Sequence, residues 1–345
     1  MEEKKTAGAQ IKEIANRLGV SPSTVSVVLG GRGDRIRISK ETQKKVLDMA
    51  RELNYRPNIY ARRLRQAEEE VPYVIAIFWR TDNLNSRVGR FIRGVYEAAE
   101  KRECKIEIMI QPYRPGELMR HVEMLSSNRV SGAILCGLST KEQEELEQRE
   151  YSIPIVLIER DGTKFHSIMM DAYRTGEQCI QYMFSSELKT AAFIGFNNNS
   201  RGERKMEAGF SYGCRTRGIR MKEDWNVYLE QSGYENGYMA AEKVLSEIEL
   251  PSAWLVADCR LAGGIMDCCQ DKKIRVPEDV RVIFFEESGI LKYHRPPLSS
   301  VDVPSMEMAE TALDIILLAC TRQVDIPISR ELSPLYFIRE SSGKQ

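Results

Sequence analysis

The stretch IKEIANRLGVSPSTVSVVL, residues 11–29, decides the fold of the N-terminal region. Apolar residues recur in its first half at the spacing of one helix face, namely at Ile11, Ile14, Ala15 and Leu18. Gly19 follows, where a helix C-terminus favours a residue that tolerates positive φ. Ser21 is a good N-cap for a second helix, and Pro22 at its first position loses no hydrogen bond. Two short helices joined by a tight turn predict a helix-turn-helix.

The second helix has one face of small side chains and an apolar stripe formed by Val25, Val28 and Leu29. A third helix is predicted over residues 39–53, with a core face formed by Val46, Leu47, Ala50 and Leu53. Three helices of this size make a minimal core, and small polar side chains suit the edges of bases in the major groove of DNA. We therefore expect residues 1–56 to form a DNA-binding headpiece.

The charge of the chain is unevenly distributed. Residues 1–66 contain 15 Lys and Arg against 7 Asp and Glu, whereas the remaining residues contain 35 against 43. A basic N-terminal fifth on an acidic remainder is typical of a polyanion-binding module attached to a domain that does not bind polyanions. A solvated basic face explains the charge alone equally well.

The motif and the later stretch ISKETQKKVLDMARELNYRPNIYARRLR, residues 38–65, resemble the headpiece of the LacI family. The family pattern has G-V-S, a T-V-S recognition helix, S-x-x-T, and then a Y-x-P-N-x-x-A-x-x-L hinge. These positions are occupied by Gly19, Val20, Ser21, Thr24, Val25, Ser26, Ser39, Thr42, Tyr55, Pro57, Asn58, Ala61 and Leu64. The resemblance implies a hinge helix and linker over residues 57–72.

The resemblance also implies which residues bind DNA. They are Ser21, Pro22, Ser23, Thr24, Ser26, Val27, Tyr55, Asn58, Ala61 and Leu64. Pro22, Ser23 and Val27 occupy base-contacting positions, while the hydroxyls of Thr24 and Ser26 occupy phosphate-contacting positions. Leu64 matches the leucine that wedges into the central base step from the minor groove, and an ordinary linker leucine is the alternative.

Two features of the headpiece depart from the family. Val27 stands where the family usually has an arginine, which gives the commonest bidentate contact to guanine, so we expect a different half-site. The loop GGRGDRIRI, residues 30–38, is longer than the usual family turn. Its Arg32, Arg35 and Arg37 are candidates for phosphate contacts, and a solvated loop is the alternative.

From residue 73 onwards, apolar runs alternate with amphipathic helical patterns. The runs are YVIAIFW (73–79), KIEIMI (105–110), VSGAILC (130–136), IPIVLI (153–158), AAFIGF (191–196), AWLVA (253–257) and VRVIFF (280–285). Continuous β-branched runs separated by helices predict an α/β body of two parallel-sheet lobes. The order resembles the periplasmic-binding-protein-like core of LacI repressors. That resemblance implies an effector-binding and dimerisation domain over residues 73–345, with interleaved lobes and chain crossings near 170, 300 and 325.

The resemblance is weakest at the positions that bind ligand in the family. Met206 stands where sugar-binding members have an arginine, and Glu286 stands where they have an aspartate. Since an arginine fork and short carboxylates hold sugar hydroxyls, a simple sugar is not the expected effector. Our candidate effector-binding residues are Trp79, Arg80, Asp171, Met206, Asp258 and Glu286. A purely structural role is the alternative for each.

Several classes of protein lack support in the sequence. No run approaches the roughly 18 apolar residues of a membrane span, no secretory signal is visible, and eight cysteines fit reduced thiols, so we expect a cytoplasmic protein. Cys259, Cys268 and Cys269 lack zinc-ligand spacing and a nearby histidine, and nucleotide motifs are missing, so no metal or cofactor is expected. Residues 209–213 spell the G-x-S-x-G elbow of hydrolases inside a helical stretch, so we expect no enzyme.

Three functions are compatible with parts of this sequence. The favoured one is a sequence-specific transcriptional regulator, a homodimeric repressor on a near-palindromic double-stranded DNA operator, whose affinity is modulated by a small-molecule effector between the lobes. The second is a regulator of the same type that has lost small-molecule sensing or responds to a protein partner. The third, a solute-binding or catalytic α/β protein, requires an export signal or a catalytic constellation.

Overall fold

The computed structural model describes residues 7–29, 33, 36–53, 72–83, 86–126, 129–197, 201–321 and 326–343. The chain forms two compact units. The first contains residues 1–167 and 309–329, and the second contains residues 168–308 and 330–345. The chain therefore passes from one unit to the other three times, after residues 167, 308 and 329.

The N-terminal part of the first unit is a three-helix headpiece. Its helices are α1 (Ala7–Leu18), α2 (Pro22–Leu29) and α3 (Lys40–Glu52). Gly19 has φ of +64°, and the Ser21 hydroxyl accepts a hydrogen bond from the Thr24 amide at 3.0 Å, which confirms the predicted turn and cap. The buried core is formed by Ile11, Ile14, Ala15, Val25, Val28, Val46 and Ala50. The predicted helix-turn-helix is therefore confirmed.

The prediction that Leu47 belongs to the core of the headpiece is wrong. Leu47 is 42% exposed, while Val46 is fully buried and Ala50 is 5% exposed. Val46 and Ala50 are four residues apart and share one face of α3, whereas Leu47 is rotated by about 100° from Val46. The sequence pattern alone is compatible with burial of Val46 or of Leu47. The packing of α3 against α1 and α2 buries the face that carries Val46.

In the part of the chain that the structure describes, six strands form a first sheet with the order β11-β5-β4-β3-β1-β2. Its strands are β1 (Tyr73–Arg80), β2 (Ile106–Tyr113), β3 (Gly132–Cys136), β4 (Ile155–Ile158), β5 (His166–Met170) and β11 (Ser329–Leu332). The associated helices are α4 (Ser86–Lys101), α5 (Glu123–Ser126), α6 (Thr140–Glu147) and α11 (Ser305–Cys320). β1 pairs in parallel with β2 and β3, and β3 pairs in parallel with β4. All residues of β3 and β4 are buried, as expected for parallel strands covered on both faces.

The second sheet has the order β12-β10-β9-β8-β6-β7. Its strands are β6 (Ala191–Phe196), β7 (Val227–Leu229), β8 (Ala253–Val256), β9 (Arg281–Phe285), β10 (Ser299–Asp302) and β12 (Leu335–Phe337). The pairs are parallel from β7 to β10, whereas β12 runs antiparallel to β10. Helices α7 (Ala172–Met183) and α8 (Arg201–Thr216) contribute to one core, and helices α9 (Tyr234–Leu245) and α10 (Ala262–Asp271) contribute to another. The predicted parallel sheets are confirmed, and β12 is an antiparallel strand at the edge of the second sheet. Among the described residues, no helix combines the length and the apolar character that a bilayer crossing requires.

Helices α7 and α8 pack with their backbones almost in contact. A Cβ added to Gly209 of α8 would lie 1.8 Å from the Tyr173 carbonyl oxygen, and one added to Gly176 of α7 would lie 1.9 Å from the Met206 carbonyl oxygen. Only glycine fits at such distances. The G-x-S-x-G pattern at residues 209–213 therefore lies within α8, and the packing of α8 against α7 accounts for its first glycine.

We expect Gly209→Ala to destabilise the protein by about 1–3 kcal/mol, because the new methyl group overpacks the contact between α7 and α8. The matched control is Gly89→Ala on α4, where an added Cβ has no heavy atom within 4 Å. That change should be neutral or stabilise by roughly 0.5–1 kcal/mol, the helix preference of alanine over glycine. Urea unfolding of both full-length variants measures the two effects. Equal stabilities of the two variants would contradict the packing argument.

Candidate functional site

Helix α2 presents small side chains on the surface of the headpiece. Pro22 and Ser23 are exposed, and Val27 is half-buried beside the buried Val28. The hydroxyls of Ser21 and Thr24 lie 2.9 Å apart in a mutual hydrogen bond at the N-cap. These two hydroxyls hold the start of the helix, and base contact by Pro22, Ser23 and Val27 stays a prediction from the sequence. Ser26 is half-buried on the same helix.

The end of the loop before α3 is fastened by a glutamine that the sequence analysis did not single out. The Gln43 side-chain amide donates to the Ile38 carbonyl oxygen at 2.8 Å, and the Ile38 amide donates to the Gly33 carbonyl oxygen at 2.8 Å. A Cβ on Gly33 would lie 2.4 Å from the Gln43 side chain. Arg37, with φ of 56°, is exposed beside Ile36, which is 55% exposed. Both residues therefore lie directly before the anchored Ile38.

Six predicted DNA-binding residues lie outside the residues that the structure describes. They are Arg32, Arg35, Tyr55, Asn58, Ala61 and Leu64. Their roles stay predictions from the sequence.

In the first unit, the predicted effector residues Trp79 and Arg80 have structural partners. Trp79 is 6% exposed and packs edge-on against Phe91, with ring centroids 5.6 Å apart. The Arg80 guanidinium donates to the Asp82 carboxylate at 2.5 and 3.0 Å and to the Gly137 carbonyl oxygen at 3.1 Å. These contacts support a structural role for both residues. Ligand contact by Trp79 and Arg80 stays a prediction from the sequence.

In the second unit, Asp171 and Met206 also have structural positions. Asp171 is the N-cap of α7, and its carboxylate accepts a hydrogen bond from the Arg174 amide at 2.9 Å. Met206 is 1% exposed and belongs to the core beneath α7 and α8. The face of α8 that carries Met206 is thus turned into the protein.

The second unit does bring Asp258 and Glu286 together. They follow the neighbouring parallel strands β8 and β9, whose carboxyl ends meet at the same edge of the sheet. Asp258 is 4% exposed and Glu286 is 8% exposed. The sequence analysis missed Arg260, which donates to the Asp258 carboxylate through its backbone amide at 2.8 Å, Nε at 2.9 Å and an Nη at 2.5 Å. An arginine two residues after an aspartate is a weak sequence signal for an ion pair. The conformation of the turn between them decides whether the arginine side chain points towards the aspartate.

Cys259 completes a group of possible metal ligands with these two carboxylates, since the three ligand atoms lie within 4.8 Å of one another. The donor set fits a metal poorly. Burial raises the pKa of the Cys259 thiol to about 11, with further contributions from nearby charges, so the thiol is protonated at neutral pH. A metal would have to displace the proton of this thiol, and Arg260 already occupies the Asp258 carboxylate. The absence of a metal site therefore remains a prediction.

The fold and the headpiece define a class of protein. It is a helix-turn-helix DNA-binding protein with a two-part α/β body. The model of bacterial regulatory proteins of the lacI family matches residues 10–58, and that of the periplasmic-binding-protein-like domain matches residues 180–342. The chain belongs to the LacI family of transcriptional regulators, and its body is the effector-binding type of domain.

Relatives match along nearly the whole chain. Catabolite control protein A of Staphylococcus epidermidis is 26% identical over 308 residues, covering 89% of this chain and 91% of the relative. The HTH-type transcriptional repressor PurR of Pasteurella multocida is 24% identical over 340 residues, covering 96% and 98% of the two chains. These relatives are regulators rather than enzymes.

Solved structures share the fold. A LacI family transcription regulator from Clostridium acetobutylicum superposes with a TM-score of 0.71 at 25% identity, covering 77% of this chain and 99% of that one. The lac repressor dimer bound to operator and the anti-inducer ONPF superposes with a TM-score of 0.68 at 20% identity, covering 96% and 98% of the chains. The second likeness, at its low identity, concerns the fold alone.

We expect Gln43→Ala to free the base of the loop. The Ile38 carbonyl loses its bond to the Gln43 amide, a contribution of about 0.5–1.5 kcal/mol, so exchange of the Ile38 amide hydrogen should accelerate by about 2–10-fold. Hydrogen exchange of the full-length variant, followed by NMR or mass spectrometry, measures this rate. Asn16→Ala, at an exposed position of α1, is the control and should leave the Ile38 amide unchanged. An unchanged rate in Gln43→Ala would show that the glutamine does not anchor the loop.

We expect alkylation of Cys259 by iodoacetamide to be slow at neutral pH and to rise about tenfold per pH unit up to pH 10. A pKa of about 11 keeps the thiolate a minor species over this whole range. An ordinary thiol has a pKa near 8.5, so its rate levels off above about that pH. Peptide mapping by mass spectrometry after timed labelling gives the rate at Cys259, with glutathione as the reference thiol. A plateau below pH 9 would refute the assignment of a protonated buried thiol.

Proposed function

We propose that this chain is a homodimeric transcriptional repressor that binds a near-palindromic double-stranded DNA operator and changes its affinity when a small molecule binds to the body. The observation that carries the proposal is α2, which presents Pro22, Ser23 and Val27 from a closed three-helix core. The LacI-family match over residues 10–58 covers that same core. Among the relatives, PurR of Pasteurella multocida is named a transcriptional repressor, which supports the assignment as a repressor.

The proposed division of labour follows the sequence. Residues 1–56 contact the operator, residues 57–72 form the hinge helix and linker, and residues 73–345 bind the effector and dimerise. The protein acts in the cytoplasm, where operator DNA is available.

The proposed mechanism is thermodynamic linkage. Two headpieces of a dimer contact two half-sites, and dimer symmetry matches the palindromic symmetry of the operator. A small molecule that binds one conformation of the body more tightly shifts the population towards it, and the DNA affinity changes by the same coupling free energy. Direct contacts from α2 and the loop supply both base recognition and salt-dependent phosphate binding.

A second candidate is a regulator of the same type whose body senses no small molecule or answers to a protein partner. The favouring observation is Arg260, because it saturates the buried Asp258 carboxylate from within the chain. A thermal-shift screen with sugars and nucleosides separates the two candidates. A ligand at 100 times its Kd stabilises by about 2.7 kcal/mol and would favour the first, whereas no shift across the panel would favour the second.

We expect Val27→Arg to move the base preference of the half-site towards guanine, because arginine forms a bidentate contact to guanine that valine lacks. Selection of bound sequences from random DNA by the full chain gives the preferred site of each variant. The discrimination gained at one position should be about 1–3 kcal/mol. Val27→Ala is the control, and it should weaken the original preference without creating one for guanine. An identical preferred site in all three proteins would exclude Val27 from base contact.

We expect Leu64→Ala to weaken binding to the selected operator much more than binding to random DNA, because an apolar wedge contributes only at the kinked central step. Gel-shift titrations on both DNAs at one salt concentration measure the two losses. Equal losses on the two DNAs would refute the wedge role of Leu64, and failure of the full chain to select any sequence would refute the proposed function itself.

A further inference from the structure

The segment that joins α2 to α3 is held at its end by three contacts. The Ile38 amide donates to the Gly33 carbonyl oxygen at 2.8 Å, and the Gln43 side-chain amide of α3 donates to the Ile38 carbonyl oxygen at 2.8 Å. The Ile38 side chain is half-buried and packs against the headpiece core. Ile38 is therefore fixed through its amide, its carbonyl and its side chain. Gly33, Ile38 and Gln43 together form a loop clamp.

The glycine and the glutamine of the loop clamp are matched to each other. Gly33 is buried, and a Cβ at this position would lie 2.4 Å from Cδ and 2.6 Å from Oε1 of Gln43. Real Cβ atoms do not approach other heavy atoms so closely, so a side chain at residue 33 would push the end of the Gln43 side chain away. Since that side chain is flexible, such a change opens the clamp and leaves the three-helix core closed.

Arg37 directly precedes the clamped Ile38. It is exposed, and its φ of 56° lies in the left-handed region, which residues other than glycine adopt rarely. Such residues persist there when surrounding contacts hold them, and they are frequent in segments that bind ligands. None of the described residues forms an ion pair with Arg37. Its charge is therefore available to an external anion, from a backbone position that the loop clamp fixes.

We propose that Gln43 is a positioning residue for operator binding, which acts by holding Arg37 in register with one phosphate of the DNA. Phosphate contacts fix the position of a protein on the duplex, whereas base contacts read the sequence. A fixed register matters on the operator, where the bases must meet α2 at the same time. On random DNA any register serves, so the clamp contributes nothing there. This inference rests on the proposed function and adds a residue of α3 to operator recognition.

Titrations of the full chain with its selected operator and with random DNA, at several salt concentrations, test the proposal. Gln43→Met removes the donor and keeps an unbranched side chain. We expect it to weaken operator binding by about 2–10-fold, the factor of one lost hydrogen bond. Binding to random DNA and both salt dependences should stay unchanged, because every charge is retained.

Arg37→Asn removes the charge with a residue that tolerates the left-handed backbone. Loss of one phosphate contact should lower the slope of log K against log salt by roughly 0.9 on both DNAs.

The double variant separates positioning from a merely structural role. Because Gln43 acts through Arg37, Gln43→Met should cost no further operator affinity in the Arg37→Asn background. The full loss of about 2–10-fold in that background overturns the proposal. Equal losses on operator and random DNA from Gln43→Met alone overturn it as well, since a damaged headpiece weakens both.

Gly33→Ala opens the clamp from its other side and should reproduce the operator loss of Gln43→Met. The control is Gly89→Ala on α4, where an added Cβ has no heavy atom within 4 Å, and it should bind both DNAs as the unchanged chain does. Full operator affinity in both Gln43→Met and Gly33→Ala overturns the positioning role and leaves the proposed regulator intact. Failure of the unchanged chain to select any DNA sequence overturns both.

Discussion

The body of this protein depends on strands that are apolar on both faces. Every residue of β3, β4 and β8 is buried, so neither face of either sheet is left to water at its centre. Parallel strands of this kind require helical crossovers, and the crossovers supply the apolar layers that cover them. Helices α7 and α8 approach until the backbone of α7 touches Gly209 of α8 and the backbone of α8 touches Gly176 of α7, which is how two helices fit over one part of a sheet.

Parallel strands also explain which polar groups meet. Because β8 and β9 run side by side in the same direction, the residues after them gather at one edge, and Asp258 therefore meets Glu286. Buried carboxylates require opposite charge or hydrogen bonds, and the Arg260 guanidinium supplies both to Asp258. The same burial raises the pKa of the Cys259 thiol and keeps it neutral. Asp258 is consequently paired from within the chain.

The headpiece is stabilised in a different way from the body. Among the described residues, its core contains seven buried apolar side chains, and local hydrogen bonds add to its stability: a serine cap at Ser21, a second at Ser39, and the Gln43 anchor. The caps satisfy amides that a helix start leaves open. Pro22 and Ser23 of α2 and Arg37 of the following loop are exposed at the surface of the headpiece.

The sequence by itself determined the three helices of the headpiece, the seven apolar strands and the family, because helical and strand periodicity are local and the hinge motif is specific. It also marked Asp258 and Glu286. The direction of Met206, the exposure of Leu47, the partner of Asp258 and the anchoring role of Gln43 were decided only by the tertiary structure, as was the antiparallel β12. Each of these depends on contacts between residues from different turns, strands or helix faces. Periodicity predicts that a helix or strand has an apolar face. Packing decides which side chains of that element are buried and which residues they contact.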